Sequence, residues 1–145
     1  MSFYDKLDQF VNTEITVIIG NNSVLFDKLK GKYKNLRILG FVDKVYEYMK
    51  KADIIISKPS GITTFEAIYA EVPIIAFHPF LQQEVYNAEF IKEKQIGLVM
   101  ENAEGCMVLI EKMLIDGKQL NQYKENMKKL KNISEKTNWI RSWMT

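Results

Sequence analysis

Two spacings of apolar residues alternate along this chain. Phe3, Leu7, Phe10 and Val11 fall on one face of a helix, with Ser2 placed as N-cap and Asp5 in the first turn. Ile15-Thr16-Val17-Ile18-Ile19 is a short β-branched run ended by Gly20-Asn21-Asn22, which predicts a strand. Val24, Leu25 and Leu29 predict a helix up to Gly31, Leu36 to Phe41 a strand, and Val45, Tyr46, Tyr48 and Met49 the helix after it. Downstream, Gln83 to Lys94 reads as a helix, Gly97 to Met100 as a short strand, and Met107–Leu114 and Leu120–Leu130 as two more helices. Trp139, Ile140 and Trp143 close the chain, and Trp139 and Trp143, four apart, read as one packed helical face rather than a sugar platform.

The stretch from Ala52 to Asn87 organises the rest. Asp53-Ile54-Ile55-Ile56 is an apolar run that stops at a polar Ser57-Lys58-Pro59-Ser60-Gly61 turn. A helical pattern follows, and then a second apolar run, Pro73-Ile74-Ile75-Ala76-Phe77, so the unit reads as strand, helix, strand. At the start of such a helix several backbone N–H groups lack an intrahelical partner and the macrodipole adds partial positive charge. The turn is therefore suited to an anion, and a phosphate fits it. Strands this apolar have no wet face, so the whole alternation predicts a parallel sheet with helices on both faces, a Rossmann-like α/β fold.

Composition bounds this picture without changing it. The 145 residues make one domain, residues 1–145, of ordinary globular balance, with 47% hydrophobic and 26% charged positions. A net charge of +2 is too small to argue for nucleic acid, and the basic stretch Lys28 to Arg37 reads as a solvated face. The single cysteine, Cys106, has no internal partner and suits a reducing cytoplasm as a buried, inert thiol. No apolar run approaches the roughly 20 residues of a membrane span, and the residues after Met1 show no signal-peptide pattern. No metal site is expected, because His, Cys and carboxylates do not cluster at ligand spacing. GxGxxG and GxxxxGK are both missing, so the usual dinucleotide and P-loop readings fail. Thr63 and Glu66 are spaced as a capping box, which gives Glu66 a purely structural alternative. Lys58 before Pro59 reads as an exposed turn residue, and His78 before Pro79 as loop structure.

Ala52-Asp53-Ile54-Ile55-Ile56-Ser57-Lys58-Pro59-Ser60-Gly61-Ile62-Thr63-Thr64-Phe65-Glu66-Ala67, with Pro73-Ile74-Ile75, Gln83-Glu84 and Asn87-Ala88, resembles the C-terminal, donor-binding domain of GT-B glycosyltransferases. Within them it is most similar to the branch of monogalactosyldiacylglycerol synthases and processive diacylglycerol glucosyltransferases, with MurG more distant. The resemblance implies that Glu66 holds both ribose hydroxyls of a UDP-sugar, a task suited to a carboxylate's two acceptor oxygens. It also implies that Ser60, Gly61 and Thr63 meet the diphosphate, that Gln83 and Glu84 read the donor sugar, and that the backbone at Val42 pairs with uracil. The implied chemistry is a metal-independent, inverting transfer with the UDP-sugar as donor substrate and no cofactor. Its base is expected from another domain, so no catalytic residue is assigned.

The resemblance further implies that an N-terminal acceptor domain or a partner subunit completes the enzyme. The family's first strand, with its glycine-rich loop, is not matched here. That strand would lie mid-sheet, where its absence opens a gap of about 10 Å between neighbours unless they close up or another chain, a second copy included, fills it. The leading expectation is the donor-binding half of a UDP-sugar hexosyltransferase, inactive alone, serving a lipid or lipid-linked acceptor at the cytoplasmic membrane face through its partner. Two alternatives stand beside it: the soluble subunit of a two-chain N-acetylglucosaminyltransferase, and a nucleotide-binding or interaction module without transferase activity.

Overall fold

The computed structural model describes residues 2–79 and 81–137. They fall into two compact units, one up to Val45 and one from Tyr46 onward. Trp139, Ile140 and Trp143 lie outside the described residues.

The first unit contains α1 (Phe3–Leu7), β1 (Ile15–Ile18), α2 (Ser23–Leu29) and β2 (Leu36–Leu39). Ser2 caps α1 as expected: its hydroxyl accepts from the Asp5 amide at 3.1 Å, and the Asp5 carboxylate accepts from the Ser2 amide at 2.9 Å. Tyr33 donates to the same carboxylate at 2.8 Å, and the Asn35 amide donates to Asp8 at 2.7 Å, tying α1 to the approach of β2. The Ser2 backbone N–H, then the Tyr33 hydroxyl, hold the Asp5 carboxyl below its ordinary range. Only one turn of helix forms, so Phe10 and Val11 lie beyond it and Val11 is 71% exposed. β1 and β2 pair in parallel, Ile15 opposite Leu36 and Ile18 opposite Leu39. Thr16 and Arg37 are register partners and both are exposed, so this small sheet does have a wet position where the apolar pattern predicted none.

The second unit runs through α3 (Val45–Lys51, its first residue shared with the first unit), β3 (Ile55–Ser57), α4 (Gly61–Ala70), β4 (Ile74–Ala76), α5 (Gln82–Glu93), β5 (Gly97–Val99), α6 (Ala103–Ile115) and α7 (Gly117–Thr137). Its three strands are parallel in the order β3-β4-β5, with Ile55, Ile74 and Gly97 in one register row. β4 is the central strand, and Ile74, Ile75 and Ala76 are all wholly buried, as an unbroken apolar run requires. Around it Phe65, Ile68, Ile91, Ile96 and Met127 form the core, each buried aliphatic or aromatic side chain contributing about 1.5–3 kcal/mol. α7 lies against α4: Lys131 Nζ donates to the Tyr69 carbonyl at 3.1 Å and pairs with Glu71 at 3.9 Å.

Among the described residues no ladder joins β1-β2 to β3-β4-β5.

Candidate functional site

The turn between β3 and α4 is folded by its own hydrogen bonds. The Ser57 hydroxyl and the Ser60 amide both donate to the Lys58 carbonyl, at 2.7 and 2.8 Å. Pro59 is fully buried beneath the turn while the Lys58 side chain is exposed. Ser60 is the N-cap of α4, extended at φ −75 and ψ 155. Its hydroxyl accepts from the Thr63 amide at 3.2 Å, and its carbonyl accepts the Thr64 amide at 3.0 Å and the Thr64 hydroxyl at 2.6 Å.

Capping uses the Thr63 amide and leaves two others. The N–H groups of Gly61 and Ile62 have no acceptor among the described residues, so they are the open donors of this helix start. The backbone of Ile62 was not singled out in the sequence. The signal was available in principle, because the second helical residue is open whenever the N-cap side chain serves the third. Gly20 and Gly31 are the only glycines with positive φ among the described residues, so backbone conformation does not demand glycine at Gly61. What it contributes is the absence of a side chain next to an open amide.

Because Ser60 rather than Thr63 is the cap, the Thr63–Glu66 capping box does not form. Glu66 is half-buried and has no hydrogen bond or ion pair to another described residue. It stands i+4 from Ile62 and i+3 from Thr63, on the face of α4 that leaves Ile62 59% exposed, opposite the buried Phe65 and Ile68.

β4 lies beside β3, so α5 starts at the same end of the sheet as α4. Leu81 is its N-cap and has no polar side chain, so only half of a capping box exists: the Glu84 carboxylate accepts from the Leu81 amide at 3.3 Å. Glu84 is therefore partly engaged in its own helix, whereas Gln83 is exposed and has no bond to a described residue. Val42 belongs to the first unit, in the segment after β2, half-buried and with no described backbone partner. Ser60, Gly61, Thr63, Glu66, Gln83 and Glu84 all belong to the second unit, at the helix starts that follow its first two strands.

Cys106 is fully buried in α6, where burial pushes its thiol up to about 11. Among the described residues no group of three His, Cys, Asp or Glu stands close enough to hold a metal ion, and no helix is long and apolar enough to cross a membrane.

Comparison with known proteins adds to this geometry. Residues 4–140 match the model of the glycosyltransferase family 28 C-terminal domain. A processive diacylglycerol beta-glucosyltransferase of Bacillus licheniformis is 33% identical over 123 residues, covering 82% of this chain and 32% of the relative. The chain spans about a third of the length of the curated relatives it matches. WaaG, a glycosyltransferase involved in lipopolysaccharide biosynthesis, superposes with a TM-score of 0.66 at 22% identity, over 85% of this chain and 36% of that one. Acinetobacter baumannii MurG superposes with a TM-score of 0.58 at 15% identity, over 88% of this chain and 48% of that one. These two likenesses show a shared fold, that of GT-B glycosyltransferases.

Proposed function

The chain belongs to the glycosyltransferase family 28 C-terminal domain family, and on that premise we propose that it is the UDP-sugar-binding half of an inverting glycosyltransferase. The reading is supported above all by one observation: two unpaired amides, Gly61 and Ile62, sit at a helix start, with the unpartnered Glu66 carboxylate one turn further along the same face.

Each part has a chemical task. The two N–H groups and the dipole of α4 meet the diphosphate, and they stabilise the negative charge that grows on it as the sugar departs. Fixed donors do this without reorganising during the reaction, which is where their advantage over water lies. Glu66 accepts from two adjacent ribose hydroxyls, and its fit is to a sugar rather than to a phosphate, which it would repel. Gln83, exposed and uncommitted, and Glu84 are the sugar-reading pair. The acceptor is a lipid or lipid-linked alcohol, in line with the diacylglycerol named for the curated relatives. The base that deprotonates it, and the contact with the membrane surface, come from an acceptor-binding domain or a partner subunit, so the donor half alone is inactive.

Calorimetric titration with UDP tests the reading. Glu66→Ala removes a charged acceptor whose hydrogen bonds are worth about 1.5–3 kcal/mol, so affinity should fall by roughly 10- to 100-fold with the circular dichroism spectrum unchanged. Equal binding of UDP by the wild type and Glu66→Ala would remove the ribose assignment.

A further inference from the structure

His78 is the only histidine in the chain, and the strand register sets it at the end of the sheet from which α4 and α5 start. Ligands of open parallel sheets gather at the carboxyl ends of the strands. The Phe77 amide donates to the Ser57 carbonyl at 2.9 Å, so the chain leaves β4 alongside the turn that precedes α4. On the other flank the Met100 amide donates to the Ala76 carbonyl at 2.9 Å, which brings Glu101 up beside the same exit. His78 Nδ1 lies 3.7 Å from Glu101 Oε2. With exposures of 58% and 75%, such a pair contributes little to stability.

With Nδ1 turned to a carboxylate, Nε2 is the nitrogen left to meet a ligand. Pro79 keeps the His78 backbone out of the helical region and so holds the residue at the strand exit. The charged groups on the adjoining segments are Glu101 after β5, Lys58 after β3 and Glu84 in the first turn of α5. The Glu84 carboxylate accepts from the Leu81 amide, while Lys58 is exposed.

We propose that His78, steadied by Glu101, donates from Nε2 to the diphosphate of the nucleotide sugar, so that donor binding takes up a proton near neutral pH. The proposal rests on the UDP-sugar reading and adds a residue to it. An imidazole ordinarily changes charge between pH 5 and 8, and a diphosphate dianion beside it favours the cationic form. A diphosphate esterified at both ends carries no group that titrates in this range, so the proton is taken up by the protein.

The test is calorimetry of the whole chain with UDP-glucose, at pH 7 in buffers of different ionisation enthalpy and again at pH 6 and 8. The wild type should take up a fraction of a proton and bind roughly three- to tenfold more tightly at pH 6 than at pH 8. His78→Gln should bind without proton uptake, with one affinity across that range close to that of the wild type at pH 8. Glu101→Gln should retain a smaller pH effect. Proton uptake that persists in His78→Gln overturns the proposal. If wild type and His78→Gln are equal at every pH while Glu66→Ala still loses affinity, this inference fails and the donor-site reading stands. If the wild type does not bind UDP-glucose, both fall.

Discussion

Glu66 shows how much one residue's meaning depends on its neighbour three positions back. In sequence, Thr63 and Glu66 form a capping box, and only the identity of the true N-cap, Ser60, releases the carboxylate for another partner. The same cap decides which amides stay open, engaging that of Thr63 and leaving those of Gly61 and Ile62. Cys106 was legible as a buried thiol, since a lone cysteine with no internal partner packs as a small hydrophobe. Burial raises its thiol from 9.0 to about 11, so the folded protein favours the protonated form. The resulting contribution to stability is complete below pH 9 and is lost as pH rises toward 11. A thiol-disulfide reagent at pH 8 should therefore label native protein at a small fraction of the rate seen after denaturation. Equal rates would place the thiol at the surface.

At the scale of elements, apolar spacing located every strand and helix that the structure describes, and it misjudged their ends. The apolar runs became three- and four-residue strands, most of them shorter by a residue or two, while β3 starts two residues late and runs on to Ser57. α6 and α7 extend past the apolar stripes that announced them, to Ala103–Ile115 and Gly117–Thr137. Polar turns at a helix end carry no hydrophobic signal, and only the caps and the packing fix them. Asn102, which caps α6 by accepting from the Gly105 amide at 2.7 Å, is such a case. Gly97 was read only as the start of a strand, yet a Cβ there would run into the backbone carbonyl of Ile74 on the neighbouring strand. Gly97→Ala should cost about 1–3 kcal/mol through displaced backbone in the β4–β5 ladder, measurable by urea denaturation. A variant as stable as the wild type would mean that β5 shifts freely.

For the whole molecule, the two units differ in how much core they own. The cluster of Phe65, Ile68, Ile74, Ile91 and Met127 lies in the second unit, whereas Leu7, Leu29 and Leu36 are the buried apolar side chains described in the first. A two-stranded sheet with so few buried side chains opens more readily than a three-stranded one around a wholly buried central strand. Native-state hydrogen exchange should accordingly show β1 and β2 exchanging at least roughly tenfold faster than β4 and α4, a gap of about 1.4 kcal/mol in opening free energy. Uniform protection across both units would mean that they unfold as one.

The amino-acid sequence by itself determined the alternation of strand and helix with its parallel strands, the buried thiol and the polar turn before α4. Each is written in local spacing: a period of two or of 3.6, a polar break, a glycine at a helix start. Only the three-dimensional structure decided that Ser60 rather than Thr63 caps α4, that Glu66 has no described side-chain partner, and that His78 and Glu101 meet. Those outcomes depend on which cap wins and on how β3, β4 and β5 lie in register, and a register is a relation between segments that no single segment encodes.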